Sequence, residues 1–273
     1  MSPLDGKADL PHSLRTLGAQ SQRAVPTCKR AGYYRPIPAW RGNIILVIVL
    51  KKIVDDSIID IVPFTYGFVY AKKETDENGN VRAAFYCYNA QTKKVDAVRR
   101  TGYLHTKFGE NYEKITSEIG NFIFCDAVTL PVGGDSVILF PESKMCVLDN
   151  QGDIVWEEEL CYRESPVKGL TADDDCVWFV VPEKNSIVRF SPTARKVYTR
   201  IGGNETTTFD DPVGVTKAGN FLYVSCANSK KIRKIDLQTY SIKDYRIFDE
   251  PVRKFFRVLN KEYVLLDSGF YML

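Results

Sequence analysis

Histidine is scarce in this chain of 273 residues, which contains only His12 and His105. Histidine is the commonest metal ligand and the side chain whose charge changes near neutral pH. Two of them are too few for a histidine-rich metal site or for most histidine-based catalysis. The chain also lacks a Gly-x-Ser-x-Gly motif and a glycine-rich phosphate loop, which are common enzyme signatures. These absences favour a protein that is not an enzyme.

The chain also lacks a strong excess of charge and a long apolar run. Its 37 Lys and Arg residues against 34 Asp and Glu residues give a formal net charge of +3, too small to indicate nucleic acid or an anionic membrane as a partner. The longest apolar run, Ile44 to Leu50, is far shorter than the roughly 20 residues of a membrane-spanning helix. Residues 1–40 contain no apolar core of a signal peptide. We therefore expect no membrane association.

Signals for disulfide bonds are absent as well. The 7 cysteines are an odd number, none of them belongs to a CxxC pair, and most lie in apolar segments. A secreted chain normally pairs its cysteines in a disulfide framework, whereas a free cysteine packs as a small apolar side chain. The pattern predicts buried free thiols and a cytoplasmic location.

Residues 1–41 differ in composition from the rest of the chain. They combine scattered arginines with several prolines and show no sustained periodicity. We interpret them as an irregular or flexible N-terminal tail. The segment Pro36–Trp40 is either a short extended ligand motif or a lead-in whose Trp40 packs against the edge of the following domain.

Residues 42–273 have the pattern of a β protein. Short runs rich in Val, Ile, Phe and Tyr, such as Val177–Val181 and Phe221–Val224, alternate with Gly, Asn, Asp and Pro. Helical periodicity is nearly absent, and the segment from Glu110 to Ile119 is its one candidate. Strands without intervening helices predict an antiparallel all-β fold.

Two short units recur along this β region. The first is an apolar residue followed by Asn, Asp or Ser, whose side chain bonds the backbone ahead and turns the chain. It occurs four times, in Tyr88–Thr92, Leu148–Gly152, Phe190–Ala194 and Ile235–Thr239. The second contains Pro-Val and occurs in Pro166–Leu170, Pro212–Thr216 and Pro251–Phe255. A period of about 40–45 residues with four strands per unit predicts a β-propeller.

The strands divide into five blades. The first two are predicted at Ser57–Phe64, Gly67–Lys72, Arg82–Asn89 and Lys94–Arg100, and at Phe122–Leu130, Ser136–Phe140, Lys144–Asp149 and Ile154–Leu160. The third and fourth are predicted at Val167–Thr171, Val177–Val181, Ser186–Ser191 and Lys196–Ile201, and at Val213–Thr216, Phe221–Ser225, Lys231–Asp236 and Ser241–Phe248. The fifth has only three predicted strands, Val252–Leu259, Glu262–Leu266 and Phe270–Leu273.

The fifth blade lacks an outer strand, and the apolar run Asn43–Leu50 belongs to no other sheet. We expect this N-terminal segment to supply the missing strand. Pairing of the first and last segments would close the ring and remove two exposed sheet edges.

Residues 209–236 contain Phe-Asp-Asp-Pro-Val-Gly-Val, then Leu-Tyr-Val-Ser, then Asn-Ser-Lys-Lys-Ile-Arg-Lys-Ile-Asp. This order resembles the NHL repeat, and residues 166–191 form a weaker copy with Trp178 and Asn185 at the matching places. Ser225 stands where the family usually has Asp, and we count five blades where the family has six. The resemblance implies a propeller that binds proteins, RNA or small ligands.

The candidate binding face carries the loops that enter each blade and the loops between its second and third strands, because both sets lie at one end of a propeller and loops on a rigid scaffold carry function. An acid precedes each first strand. These acids are Asp55, Asp56, Glu118, Glu164, Asp210, Asp211, Asp249 and Glu250. Such acids either cap turns, attract a basic partner or hold a divalent cation.

We predict a monomeric binding or scaffold module that recognises a protein or peptide through this face. Its predicted anchors are Asp56, Glu164, Asp211 and Glu250, and the second set of loops adds Asn185, Asn228 and Lys230. His105 lies in the long insertion Thr101–Ser117, which is either a lid or a packed connector.

Two alternatives remain open. One is a calcium-dependent hydrolase similar to the lactonase and gluconolactonase group, in which Glu164, Asp211 and Glu250 would be metal ligands with Asn185 and Asn228. The other is single-stranded RNA binding through basic pairs such as Lys230-Lys231, although lysines also protect sheet edges from aggregation.

Overall fold

Five four-stranded antiparallel sheets make up the fold, which is an all-β, five-bladed propeller. The computed structural model describes residues 50–54, 58–64, 66–75, 77–79, 81–98, 126–140 and 143–273. All of them belong to one compact unit, Val47–Leu273. Across these described ranges, no helix is long and apolar enough to cross a membrane. The predicted tail, residues 1–41, lies outside the described residues.

The first blade contains β2 to β5, the second β6 to β9, the third β12 to β15 and the fourth β16 to β19, each in sequential order. The bounds for the first two blades are β2 Ile58–Phe64, β3 Gly67–Thr75, β4 Val81–Asn89, β5 Lys94–Val98, β6 Asp126–Thr129, β7 Ser136–Leu139, β8 Lys144–Leu148 and β9 Ile154–Glu159. A small hairpin, β10 Cys161–Tyr162 and β11 Ser165–Pro166, leads into the third blade.

The remaining strands complete the ring. They are β12 Lys168–Asp173, β13 Cys176–Val181, β14 Ser186–Ser191, β15 Lys196–Gly202, β16 Pro212–Ala218, β17 Phe221–Cys226, β18 Lys231–Asp236, β19 Ile242–Ile247, β20 Val252–Val258, β21 Lys261–Leu266 and β22 Gly269–Met272. The predicted blade count and strand order are confirmed, and the strand bounds differ from the prediction by only a few residues.

The outer strand of the fifth blade comes from the N-terminal side of the domain, as predicted. Strand β1, Lys51–Val54, pairs antiparallel with β22, and Lys51 lies opposite Met272. The observed strand begins at Lys51, so Leu50 of the predicted strand Asn43–Leu50 precedes it, and residues 43–49 lie outside the described residues. An outer strand tolerates exposed Lys51 and Lys52 because its outer edge faces solvent. It therefore does not require the apolar run.

The predicted turn chemistry is present between the third and fourth strands of four blades. Asn89 Oδ1 accepts hydrogen bonds from the backbone N–H groups of Gln91 and Thr92. The same role is played by Asp149, Ser191 and Asp236. A short polar side chain at this point satisfies the turn backbone, so the repeated unit in the sequence marks one end of each blade.

Apolar clusters fill the spaces between neighbouring blades. Separate clusters join the fifth blade to the first, the second to the third, the third to the fourth and the fourth to the fifth. The cluster between the fifth and first blades is rich in aromatic rings. Phe270 lies 4.8 Å from Phe68, centroid to centroid, and stacks with Tyr263 and Phe256. Such ring pairs stabilise the contact beyond their buried area.

Cysteines in the described part of the chain are free thiols, and three of the five are buried. Burial raises the pKa of the Cys176 and Cys226 thiols to about 11. A thiol is reactive only as the thiolate, so these two residues act as packing side chains.

Replacement of Phe270 tests the closure of the ring. Phe270 is 0% exposed, so Phe270→Ala removes ring contacts between the first and fifth blades and leaves a cavity. We expect a loss of about 3–5 kcal/mol in the free energy of unfolding, measured by chemical denaturation. Tyr198→Ala, at a side chain that is 49% exposed, is the control, and we expect a change below about 0.5 kcal/mol. Equal losses in both variants would contradict this account.

Candidate functional site

The inner strands of the five blades place corresponding residues around the propeller axis. Asp60, Asp126, Gly214 and Lys254 pair with the second strand at this level of their blades, and Gly169, the bulge residue of the third blade, lies beside Gly214. In four blades the pairing of the first and second strands carries a bulge at this level, and bulges commonly redirect side chains near functional sites. The end of the axis at which these strands begin is called the mouth.

Two aspartates and one lysine meet at this level. Lys254 Nζ lies 2.5 Å from Asp126 Oδ1 and 3.4 Å from Asp60 Oδ1. Lys254 belongs to the fifth blade, Asp60 to the first and Asp126 to the second. The ammonium group therefore joins three blades. The side chains of Lys254, Asp126 and Asp60 are 15%, 16% and 34% exposed, so Asp60 is the most accessible of the three.

Burial and the attraction between opposite charges shift the pKa values of Asp60 and Lys254 in opposite directions. Burial raises the pKa of Asp60, the neighbouring Lys254 lowers it, and the negative charge of Asp126 raises it again, so that the net shift is upward. For Lys254, burial lowers the pKa, but the two carboxylates outweigh it and raise the pKa above its ordinary value. Lys254 is therefore held in its charged form, whereas Asp60 carries an electrostatic cost as the anion.

On the opposite side of the axis, two glycines let the inner strands of the third and fourth blades approach each other closely. A Cβ on Gly169 would lie 3.2 Å from the Cα of Gly214, and Gly169 has a φ of +59°. Glycine allows the close approach because it lacks Cβ, and it adopts a positive φ readily. The inner strands of the third and fourth blades therefore approach closely and leave space in front of the charged residues.

This space is a cavity of about 210 Å³. Its charged wall contains Asp60, Asp126 and Lys254, and its apolar wall contains Leu139, Phe140 and Val167. A second cavity of about 220 Å³ adjoins it between the fifth and first blades and also touches Asp60 and Lys254. Its lining includes Ile59, which is 45% exposed, and Arg253, whose Nε donates to Asp267 Oδ1 at 2.5 Å.

Two predicted binding residues, Asn185 and Lys230, join the loops of adjacent blades. Asn185 Oδ1 accepts a hydrogen bond from the backbone N–H of Asp211 at 2.9 Å. Lys230 Nζ donates to the backbone carbonyl of Asp249 at 2.9 Å. Each bond runs from the turn of one blade to the loop that enters the next blade. These side chains therefore fix the loops at the mouth.

Three further predicted residues, Asn228, Glu250 and Glu164, lie in the same loops. Asn228 Nδ2 donates to Asp210 Oδ1 at 3.3 Å. Glu250 accepts hydrogen bonds from the backbone N–H and the hydroxyl of Ser268. Glu164 is exposed in the turn of the β10–β11 hairpin. The bonds of Asn228 and Glu250 tie the entry loop of a blade to a turn in that same blade.

The carboxylates of these loops form no metal centre in the part of the chain that the structure describes. Among the described residues, no group of three or more His, Cys, Asp and Glu side chains is placed to hold a metal ion. This includes the predicted set Glu164, Asp211 and Glu250. Two other predicted residues, Asp56 and His105, lie outside the described residues. The calcium-dependent hydrolase therefore stays a prediction without support from the described geometry.

The basic pairs that suggested RNA binding include members of ion pairs. Lys231 and Arg233 both contact Asp244, each at 2.9 Å. Lys72 lies 3.4 Å from Glu74. Pairing with an acid reduces the positive field that a phosphate backbone requires. RNA binding stays a prediction as well.

The sequence interpretation missed all three charged residues of the axis. Each of them lies beside apolar residues in an inner strand, as in Ile59-Asp60-Ile61 and Val252-Arg-Lys-Phe255. A charge next to apolar residues in the innermost strand is expensive to bury unless it is paired. A charged residue in an otherwise apolar inner strand was therefore the feature of the sequence that could have indicated this site. The pairing of Lys254 with Asp126 required the blade order in three dimensions, because 128 residues separate them.

Comparisons with known proteins give similarity in structure only. No protein-family model and no curated protein sequence matches the chain. Among solved structures, virginiamycin B lyase from Staphylococcus aureus matches with 11% identity and a TM-score of 0.45 over 80% of each chain. Saccharomyces cerevisiae Sqt1 matches with 11% identity and a TM-score of 0.43, over 78% of this chain and 71% of that chain.

A third structure, a luciferin-regenerating enzyme, matches with 12% identity and a TM-score of 0.44, over 80% of this chain and 77% of that chain. At such identities the similarity concerns the fold alone. The class assigned to this chain, a five-bladed propeller with a charged axis, follows from its own strand pairing and contacts.

Replacement of Lys254 tests the electrostatics of the axis. Lys254→Met leaves two carboxylates close together without a cation. We expect a loss of about 2–3 kcal/mol near pH 7, below the roughly 3–5 kcal/mol of a fully buried pair because Asp60 is partly exposed. Removing the cation raises the pKa of Asp60 further. The folded state then takes up a proton more readily than the unfolded chain, so acidification favours folding of the variant.

The free energy of unfolding, measured by urea denaturation at about pH 7 and about pH 5, distinguishes charge from packing. The deficit of Lys254→Met relative to the native protein should shrink at the lower pH. Lys243→Met, at an exposed lysine, is the matched control and should show no deficit at either pH. A deficit of Lys254→Met that is the same at both pH values would show that lost packing alone is responsible.

Proposed function

We propose that this propeller is a binding module that recognises a protein or peptide partner at its mouth. One observation carries the proposal: the axial cavity lies where the inner strands begin, and at that end of the blades side-chain hydrogen bonds of Asn185, Lys230 and Glu250 already hold loops in place. A surface that is ordered before binding loses little conformational entropy on association. Such an arrangement suits recognition.

The size of the cavity favours a segment of a macromolecule over a whole metabolite. Pockets that enclose small-molecule ligands usually measure roughly 300–1,000 Å³. The axial cavity by itself measures about 210 Å³, and the adjoining cavity of about 220 Å³ extends the surface toward Ile59. A cavity of this size suits one side chain of a larger partner. The exposed Ile59 beside it offers an apolar contact for the adjoining residues, in the manner of a buried anchor with neighbouring contacts.

The resemblance of residues 209–236 to the NHL repeat is in keeping with a binding role, since the resemblance implies a propeller that binds other molecules. The proposal does not depend on it. The contacts at the mouth and the cavity carry the proposal by themselves.

Selection of peptides from a random phage-displayed library tests the proposal. Peptides selected on the native protein should bind Ile59→Glu at least about tenfold more weakly, because a charge replaces an apolar contact at the mouth. The matched control is Val132→Glu, at an aliphatic side chain that is 58% exposed in the turn after β6. This turn lies at the opposite end of the propeller, so peptide affinity should not change.

Affinities would be measured by fluorescence anisotropy with synthetic copies of the selected peptides, and folding of both variants would be checked by thermal unfolding. Failure to select any peptide would overturn the proposal. Equal affinity for the native protein and Ile59→Glu would overturn it too, since binding would then occur away from the mouth.

A further inference from the structure

The charged residues at the axis have more hydrogen-bond acceptors than donors. Lys254 contacts Asp60 and Asp126 through Oδ1 of each. Among the described residues, the only other donor to either carboxylate is the backbone N–H of Ile61, which lies 2.6 Å from Asp60 Oδ1. Within the described part of the chain, no group donates to Oδ2 of Asp60 or of Asp126. A carboxylate can accept several hydrogen bonds, so both side chains retain acceptor capacity.

The formal charges at the axis show a similar imbalance, with an excess of negative charge. One ammonium group faces two carboxylates, which leaves one negative charge uncompensated at the centre of the cavity. Asp126 and burial both raise the pKa of Asp60, which means that its negative charge is incompletely stabilised in the free protein. A cation in the cavity would relieve this cost.

Two other charged groups of the described residues lie at the rim, and neither opposes this excess strongly. Arg253 donates to Asp267 at 2.5 Å, so its charge is largely compensated. Lys168 lines the cavity but is exposed, and solvent and salt screen an exposed charge more strongly than a buried one. Among the described residues, the charged groups inside the cavity are therefore two carboxylates and one ammonium group.

The walls suit a long side chain with a charged end. Leu139, Phe140 and Val167 provide apolar contacts on one side, and Gly169 leaves room on the other. Long basic side chains bury their methylene groups against apolar surface while their head groups form polar contacts. A guanidinium group has five N–H donors in a planar fork and accepts no hydrogen bonds. It therefore matches two carboxylates that have free acceptor atoms.

We propose that the axial cavity is the specificity site of this module and that it receives one arginine side chain of the partner, with the guanidinium group bonded to Asp60 and Asp126. This inference rests on the proposed function, since it names the chemistry of the partner at the mouth. The methylene groups of the arginine lie against Leu139, Phe140 and Val167. Lys254 stays in place and keeps its contacts with both carboxylates.

A blocked arginine, N-acetyl-arginine methylamide, is the direct probe, and N-acetyl-citrulline methylamide is its neutral counterpart of nearly the same shape. Titration of the ¹⁵N-labelled full chain, followed by NMR, should give saturable shifts of the amide signals of Asp60, Gly169 and Lys254. We expect binding of the citrulline compound to be at least about tenfold weaker, because charge-assisted hydrogen bonds are much stronger than neutral ones. Equal binding of both compounds, or no saturable shift, would overturn the inference.

Asp60→Asn and Asp126→Asn test the two carboxylates separately. Each variant should bind the blocked arginine at least about fivefold more weakly, since a charged acceptor is replaced by a neutral amide of similar shape. Asp153→Asn is the matched control at an exposed aspartate outside the cavity, and its affinity should equal that of the native protein. Unchanged affinity in both Asp60→Asn and Asp126→Asn would overturn the inference even if arginine binds elsewhere. The titration of the native protein remains decisive if a variant fails to fold.

The two proposals fail in different ways. If selected peptides depend on Ile59 but lack arginine and the blocked arginine does not bind, the mouth is a binding face and the arginine inference is wrong. If the blocked arginine binds at Asp60 but no peptide can be selected, the cavity has the proposed chemistry and the peptide-binding function is wrong.

Discussion

The contact of Lys254 with Asp60 and Asp126 is the interaction on which this account of the propeller depends. Each of the three side chains comes from a different blade, and the ammonium group lies within 3.4 Å of both carboxylates. Buried charges are costly unless they are paired. The arrangement of the three blades at the axis is therefore constrained by the need to keep these charges together.

The same three residues supply the charged groups on one side of the axis. Gly169 and Gly214 allow two inner strands to approach closely on one side, and the charged residues occupy the other. The space between them is small and has one apolar wall, and no donor of the described residues reaches Oδ2 of Asp60 or Asp126. Around it, the side chains of Asn185, Lys230 and Glu250 hold the loops of the mouth through hydrogen bonds. The ion pair and the loop hydrogen bonds thus lie at the same end of the propeller.

Local chemistry explains which features could be predicted from the sequence. The turns at Asn89 and Asp236 depend on one side chain bonding the backbone next to it, so their recurrence revealed the blades and the blade count. The outer strand was predicted in the apolar run that precedes β1. The observed strand begins with the charged Lys51 and Lys52, which an outer strand tolerates because its edge faces solvent. The described loop residues lie at the end of the blades where the inner strands begin. Their polar side chains join loops to one another, a role that depends on distances between blades.

The axial site was missed because it is assembled from residues that are far apart in the chain. Asp60, Asp126 and Lys254 belong to three inner strands, and no local motif connects them. An inward-facing charge in an apolar strand was the only signal in the sequence. Opposite charges at corresponding positions of different blades are therefore worth seeking once a propeller repeat has been recognised.

A double-mutant cycle on Lys254 and Asp126 tests the central claim most directly. The free energies of unfolding of Lys254→Met, Asp126→Asn and the double variant would be compared with that of the native protein. If the ion pair links the blades as described, the double variant should be less destabilised than the sum of the single variants, with a coupling energy of at least about 1.5 kcal/mol. Additivity to within about 0.5 kcal/mol would contradict the claim, because it would mean that the two side chains contribute independently.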